Sequence, residues 1–382
     1  MNNNNIPVIY YHSIAPFKNK DWPKKYLTLN LHFFENHLKF FKKNGFQALF
    51  LDEYFDLLQA ESKNKKYFVL TFDDGYLDNY IYVYPLLKKY AFKATIFINP
   101  EFVPKDNQNN GTLFDYWENK KTLADIDKWG FLNWDEMSEM EESGIIDIQS
   151  HTMSHTKYFI SDKIIDFHHK NSDCLYYIGN LYPARKPNYI TDPKFEKLLP
   201  CGYPVFEQAS SVIAKAVQIN NNFRNEIIDI LNNKIIKSGY DFKEIYNLIK
   251  PIYNKFKKEN SIILSTESND DFMKRLVWEL KESKKIIEQK LNKKVNYLCW
   301  PHGDNSELAH QTALKVGYKA TSLGKMSKKY FDTTRFDRFG LASVRNNLFL
   351  TNLKTKYKVG SFRNEEPYKV IKNIYEFIRD SF

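Results

Sequence analysis

The chain has 382 residues, of which 43 % are hydrophobic and 16 % aromatic, so it can bury a large core and is not a disordered polymer. Its formal net charge of +10 comes from scattered lysines rather than a basic block. With no helix-turn-helix, zinc-finger or RNP-type pattern beside that charge, no nucleic-acid partner is expected. Three widely spaced cysteines, Cys174, Cys201 and Cys299, give no disulfide framework and suit a reducing compartment. The opening residues show no basic segment followed by an apolar one, and no apolar run approaches about 18–20 residues. The expectation is a cytoplasmic protein, with a peripheral place at the inner face of the membrane as its variant.

In chain order, residues 7–11 read as a short apolar strand, followed at once by His12. Residues 31–43 have helical spacing, with Asn30 as N-cap and Gly45 as stop. Residues 48–50 predict a strand, 52–60 a helix, 67–71 a strand and 78–90 a helix despite Pro85. A strand at 94–98, a helix at 134–143 and a strand at 145–149 continue the alternation. The rhythm then breaks over 163–268, a Pro-, Asn- and aromatic-rich stretch with helical text near 208–218 and 222–257. From 271 it resumes with a helix to 291, a strand at 296–300, a helix at 306–316 and a strand at 318–322. This pattern predicts an α/β fold with buried parallel strands, interrupted by one large, mostly helical or irregular insertion.

The chemistry gathers where strands end. In parallel α/β folds, the carboxyl ends of the strands face the ligand side. Asp73 and Asp74 follow one strand, and His151 and His155 follow another. His12 and the turn Pro301-His302-Gly303 also follow strands. Asp73-Asp74-Gly75 alone would read as a turn with a helix cap, and two histidines four apart as surface decoration. Together at the ends of one βα series, they read as a site. Two imidazoles and one carboxylate make a three-ligand site for a divalent ion. The second carboxylate can then take a proton from a water that the ion acidifies.

"TFDDGY" at 71–76 with "SHTMSH" at 150–155 resembles the first two motifs of the polysaccharide deacetylases, the NodB-homology domain of carbohydrate esterase family 4. "VIYYHSI", "PLLKKYAFKATIFI" and "CWPHGDNSELAHQTALKVGYKAT" resemble the same family in the same order. The resemblance implies a distorted (β/α)7-type barrel, divided here into residues 6–162 and 269–350. Residues 163–268 form the insertion, expected to line the cleft, and 351–382 a C-terminal extension. It also implies Asp73 as general base and Asp74, His151 and His155 as metal ligands. The metal is most simply Zn²⁺, with Co²⁺, Ni²⁺, Fe²⁺ and Mn²⁺ as alternatives. The backbone after Pro301 would hold the oxyanion, with His302 in place of the family's usual tyrosine.

Two departures stand out. Cys299 occupies the position where many members carry an arginine oriented on the base, and Arg338 or Arg345 is the candidate substitute. No histidine follows His310, so His12, then His302, is the candidate acid for the leaving amine. Tyr76, Gly303 and Arg338 are assigned to the substrate side, with core packing the alternative for Tyr76. Thr152 and Ser154 are expected to tie the metal loop to its own backbone.

The function so implied is hydrolysis of the N-acetyl group of an amino sugar, in a glycan or in a nucleotide- or lipid-carrier-linked precursor. Two other readings compete with it: a glycan-binding relative with impaired catalysis, and a 2-His-1-carboxylate Fe(II) oxygenase. The oxygenase reading fits poorly, because it leaves the second acid without a role and normally uses a β-sandwich.

Overall fold

The computed structural model describes residues 6–372, apart from 21, 23, 60–65, 107–109, 170–171, 173–174, 193 and 239–240. Cys174 and the last residue of the helix expected at 52–60 therefore lie outside the described residues. The apolar run ahead of the two acids is the strand Tyr67–Phe72, buried at every position after its first. Such continuous burial fits a strand covered on both faces. Around the sheet the order is Arg335–Phe336, Ala320–Ser322, Tyr297–Leu298, Ile146–Ser150, Ala94–Ile98, Tyr67–Phe72, Val8–Tyr11 and Phe339–Gly340. Every pairing along this path is parallel, and Gln47–Leu49 sits against the start of Tyr67–Phe72.

The two ends of that path are separated in sequence by Asp337 and Arg338 alone. One short segment, 335–340, therefore bridges the last strand to the first and curls the sheet into a seven-staved barrel. Arg338 lies at this seam. Alternate strand residues feed two cores, as the two-residue period of a strand requires. Ile9, Leu70, Ile96, Ile148 and Leu298 join the core under the outer helices. Val8, Val69, Phe97, Tyr297 and Phe336 form another cluster with Leu51 and Tyr54 of helix Leu51–Gln59.

The helices flanking this sheet follow the predicted order. Helix Leu31–Lys43 is capped by the Asn30 side chain, which accepts from the His32 N–H. The helix expected at 78–90 starts with one wide turn, Asn79–Val83, and continues as Tyr84–Tyr90, with Pro85 near its start. The wide turn directly precedes Pro85, whose ring and missing N–H cannot continue a regular i to i−4 ladder.

The interrupting segment differs from its expected form. It opens with an antiparallel hairpin, Lys157–Phe167 against Pro204–Ser210, ahead of the boundary at 163. A second pair joins Val217–Ile219 to Ile263–Thr266. The text near 208–218 is thus the end of one strand, a turn and the start of the next rather than helix, and 222–257 divides into helices Asn221–Ser238 and Phe242–Lys258. Short apolar runs of this kind have no period that separates strand from helix. A separate core of residues between 159 and 262, including Phe167, Phe206, Phe223 and Ile249, holds the segment together. At the other end, helix Leu348–Phe362 lies against helix Leu31–Lys43, where Asn36 and Asn352 meet at 2.6 Å. The expected boundary at 350 cuts through this helix.

Candidate metal centre and cleft

The Asp73 N–H continues the strand ladder to the Tyr11 carbonyl at 3.0 Å. The backbone then turns left-handed at Asp74 (φ 73°) and Gly75 (φ 67°). A Cβ on Gly75 would meet Ile98 Cγ2 at 2.9 Å, so this glycine answers to the neighbouring strand. Thr152, His155 and His302 are also left-handed, with φ of 68°, 45° and 59°. Strained non-glycine positions of this kind cost about 1–3 kcal/mol each and gather at functional sites.

Asp74 Oδ1 lies 3.3 Å from His151 Nε2 and 3.1 Å from His155 Nε2. His151 Nδ1 is 2.8 Å from the Cys299 carbonyl, which can only accept. The proton of neutral His151 is therefore on Nδ1, and its Nε2 lone pair faces the carboxylate. Asp74 Oδ1 is buried without a hydrogen-bond partner among the described residues. A proton can complete this contact, as the raised His151 value reflects, and so can a metal cation held between the two atoms. One ligand atom from each of Asp74, His151 and His155 falls within 4.8 Å of the others, a donor set that fits a divalent ion of the zinc type. Burial would push the Asp74 carboxyl up, but His155 and His151 hold it well below the usual carboxylate range.

The histidine loop is held from outside. Strand Ile146–Ser150 hands over at His151, whose N–H donates to the Ile98 carbonyl at 2.8 Å. Glu279, fully buried on helix Asn269–Leu291, accepts the Met153 and Ser154 N–H groups at 3.1 and 3.0 Å and also the Ser154 hydroxyl. Asn99 donates to the carbonyls of His151 and Thr152. Lys186 donates to the Ser154 carbonyl at 2.9 Å and pairs with Glu101. The expected tie from Ser154 to its own loop is thus replaced by Glu279. The Thr152 hydroxyl is buried with no partner among the described residues. Glu279 was missed by sequence reasoning, although a signal existed: it shares the helix face of Phe272, Leu276, Leu280 and Ile287.

Asp73 faces a different partner. Arg338 forks onto it, Nη1 to Oδ1 and Nη2 to Oδ2, each at 2.8 Å, and reaches the Thr71 hydroxyl at 3.0 Å. Cys299 Sγ is 2.6 Å from Nη2. Burial would raise the Asp73 carboxyl, but the Arg338 guanidinium outweighs it and keeps the group below its ordinary value. Arg338, assigned to the substrate side, is therefore engaged with the acid, as its seam position requires; Arg345 is exposed. His12 Nε2 lies 4.0 Å from Asp73 Oδ2, just beyond hydrogen-bond reach.

These groups open into one cleft of about 380 Å³, lined among others by His12, Tyr76, Tyr176, Tyr189, Trp300 and His302. Tyr176 and Tyr189 come from the 163–268 segment. Tyr76 is buried against Phe131 (ring centroids 5.4 Å), with its hydroxyl on Asp74 and Tyr189. Tyr76 therefore joins both of its expected roles, core and cleft. In the Pro301–Gly303 turn, the N–H groups of Gly303 and Asp304 donate to Trp300 and Pro301 carbonyls. The His302 N–H has no backbone acceptor among the described residues. Gly303 contributes its backbone to the wall, and its carbonyl accepts from Lys325 N–H at 2.8 Å. Other histidines have partners elsewhere: His37 on the Tyr11 hydroxyl, His168 on Ser172, and His310 on Thr321.

Residues 60–190 match the family model described as polysaccharide deacetylase. A Bacillus subtilis (strain 168) protein assigned to the polysaccharide deacetylases, YxkH, is 34 % identical over 151 residues, covering 39 % of this chain. The aligned stretch spans 43 % of that relative, less than half its length. Among solved structures, a de-N-acetylase from Aggregatibacter actinomycetemcomitans superposes with a TM-score of 0.52 at 19 % identity. That match covers 92 % of this chain and 99 % of the other, and shows a shared fold. Streptococcus pyogenes deacetylase PplD, solved with acetate, gives a TM-score of 0.46 at 18 % identity, covering 92 % and 97 %.

Proposed function

From the premise that the chain carries a polysaccharide deacetylase domain, we propose a metal-dependent hydrolase that removes the N-acetyl group from an N-acetylamino sugar. One observation carries this reading: two adjacent carboxylates have opposite surroundings. Asp74 lies between two imidazole nitrogens, and Asp73 lies on a guanidinium.

Asp74, His151 and His155 would hold the ion, Zn²⁺ or a similar divalent metal, which supplies Lewis acidity to the acyl carbonyl and to a water. Asp73, kept ionised by Arg338, accepts the proton of that water. Arg338 orients the carboxylate through both oxygens. The His302 N–H would receive the negative charge that develops on the acyl oxygen. His12 lines the same cleft near Asp73 and is the residue assigned to protonate the leaving amine. Burial beside His155, Lys157 and Lys24 holds the His302 imidazole well below its ordinary range, so the ring is kept neutral and does not carry the proton that the leaving amine needs.

Residues 163–268 wall the cleft through Tyr176 and Tyr189, which favours a small or terminal sugar over the interior of a long polymer. A nucleotide- or lipid-carrier-linked precursor suits the chain's excess of positive charge. Among the described residues no helix is long and apolar enough to cross a membrane.

The test is an acetate-release screen of the metal-loaded protein across nucleotide sugars, undecaprenyl-linked sugars and short oligosaccharides. Release abolished by Asp73→Asn supports the proposal. Glycan binding without release from any substrate would favour the catalytically impaired relative.

A further inference from the structure

We propose that the part of the cleft rim built by residues 13–34 and by the start of helix Leu348–Phe362 docks on an anionic lipid bilayer. The cleft then opens onto the membrane, which narrows the substrate to an amino sugar carried on a lipid. That narrowing rests on the deacetylation proposed above, whereas the docking itself does not.

Phe349 and Tyr26, each 70 % exposed, and Phe17, 65 % exposed, stand out furthest among the large apolar side chains of the described residues. All three lie at one end of the barrel. Beyond the carboxyl end of strand Val8–Tyr11 the chain forms the parallel pair Ser13–Ala15 and Thr28–Asn30. Phe17 and Tyr26 lie between these two short strands, and Tyr26 lines the cleft. Strand Phe339–Gly340 runs parallel to Val8–Tyr11, so the chain leaving it reaches the same end before helix Leu348–Phe362 begins. That helix runs beside helix Leu31–Lys43 in the same direction. Asn352 meets Asn36 at 2.6 Å, and Arg363 lies over the Phe46 ring where both helices have ended. About one turn back along each helix, Leu348 and Phe349 come level with the Asn30 cap. Asn30 in turn donates to the carbonyl of Pro16, next to Phe17, at 2.6 Å. Leu353 follows Phe349 by four residues on the same helix face and is also exposed, with Lys356 next along it.

The charge of this rim selects its partner. Residues 13–34 and 341–364 hold nine basic residues and one acid, Asp21, a net of +8 against +10 for the whole chain. Folding thus joins two stretches distant in sequence into one basic face. Lys18, Lys20, Lys25, Arg345 and Lys356 are exposed and meet no carboxylate among the described residues. Glu35, the single acid of helix Leu31–Lys43, is taken by Lys39 and Lys89. Exposed aromatic rings beside lysines suit a bilayer interface, where rings enter the headgroup layer and ammonium groups meet lipid phosphates. A second copy of this chain is a poor occupant, because a two-fold contact would set the basic face against itself.

The test is co-sedimentation of the full chain with vesicles of mixed phosphatidylglycerol and phosphatidylcholine, against vesicles of phosphatidylcholine alone. Binding should favour the anionic vesicles and fall as salt is raised. Phe17→Ser with Phe349→Ser should weaken it about tenfold or more, and Lys18→Glu, Lys20→Glu and Lys25→Glu together about 100-fold. All five side chains are exposed, so thermal melts should show the fold kept. Two controls should bind as the wild type does: Leu264→Ser on strand Ile263–Thr266, and Lys281→Glu, Lys285→Glu and Lys290→Glu together on helix Asn269–Leu291. No preference for anionic vesicles, rim variants that bind like the wild type, or controls that weaken as much as the rim variants would each overturn the proposal. So would a dimer in solution that the rim variants dissolve while vesicle binding stays intact. Acetate release from soluble sugars and from no lipid-linked one would overturn the narrowing of the substrate. Vesicle binding with no acetate release from any glycan would instead overturn the proposed deacetylation and leave the docking standing.

Discussion

Replacing Arg338 with methionine keeps an unbranched apolar stem and removes both 2.8 Å bonds to Asp73. The carboxylate left behind is 4 % exposed and reaches solvent only through the cleft, so water replaces only part of the lost pairing. Removing one partner of a buried ion pair costs about 3–5 kcal/mol. An ion at the neighbouring ligands and His12 at 4.0 Å offset part of this, so about 3 kcal/mol is expected. The pH dependence follows from the direction of the shift. In the wild type the lowered Asp73 value contributes stability that is present above the unfolded carboxylate value and lost as pH falls through the folded one. Without Arg338, burial is opposed only by His151 and His12, and the Asp73 value rises. The variant's deficit should then be full at neutral pH and shrink toward about pH 5 as the stranded carboxylate takes up a proton. Urea midpoints of wild type and variant at the two pH values measure this. Adding Asp73→Asn to Arg338→Met should recover most of the neutral-pH loss, since no unpaired charge remains. A neutral-pH difference below about 0.5 kcal/mol, or a deficit largest in acid, would refute the pairing argument.

Asp73→Asn should keep stoichiometric metal and lose about 10²-fold or more in rate, whereas Asp74→Asn should lose the metal; the opposite result, read by elemental analysis, would exchange the two roles. Glu279→Gln should weaken metal binding about 10–100-fold in a chelator competition, because Glu279 holds the turn that carries His155. Asp78 is buried beneath the Ile14 N–H and its pKa is pushed up by burial to about 7. Its proton therefore stabilises the fold below the ordinary carboxylate value, and that contribution is lost as pH rises through about 7. Asp78→Asn should flatten the stability profile over this window, checked by thermal melts across the pH series.

The four central residues were legible because their signals are local. Asp73 and Asp74 end an apolar run, and His151 and His155 lie in one loop, so strand direction alone sends them to a common mouth. The barrel strands were legible for a related reason, since buried parallel strands are short, continuous and apolar. Arg338 was partly legible: the resemblance offered it or Arg345 as the arginine oriented on the base, and how the 335–340 segment closes the sheet decides for Arg338. Glu279, Lys186 and Tyr176 act on the site from distant stretches of chain; only Glu279 carries a local signal, its place on an apolar helix face. The segment opening at Lys157 was misread because its strands are packed against its own helices, which erases the alternation that marks a strand with one exposed face.

The most direct measurement of the account is a metal titration of acetate release, on a substrate found by the screen. The protein is stripped with a chelator and refilled with Zn²⁺ in sub-stoichiometric steps. Acetate release should rise in proportion to bound metal, level off at one equivalent, and stay at background in His151→Ala and His155→Ala. Release that survives stripping, or that is restored by metal in the histidine variants, would contradict it.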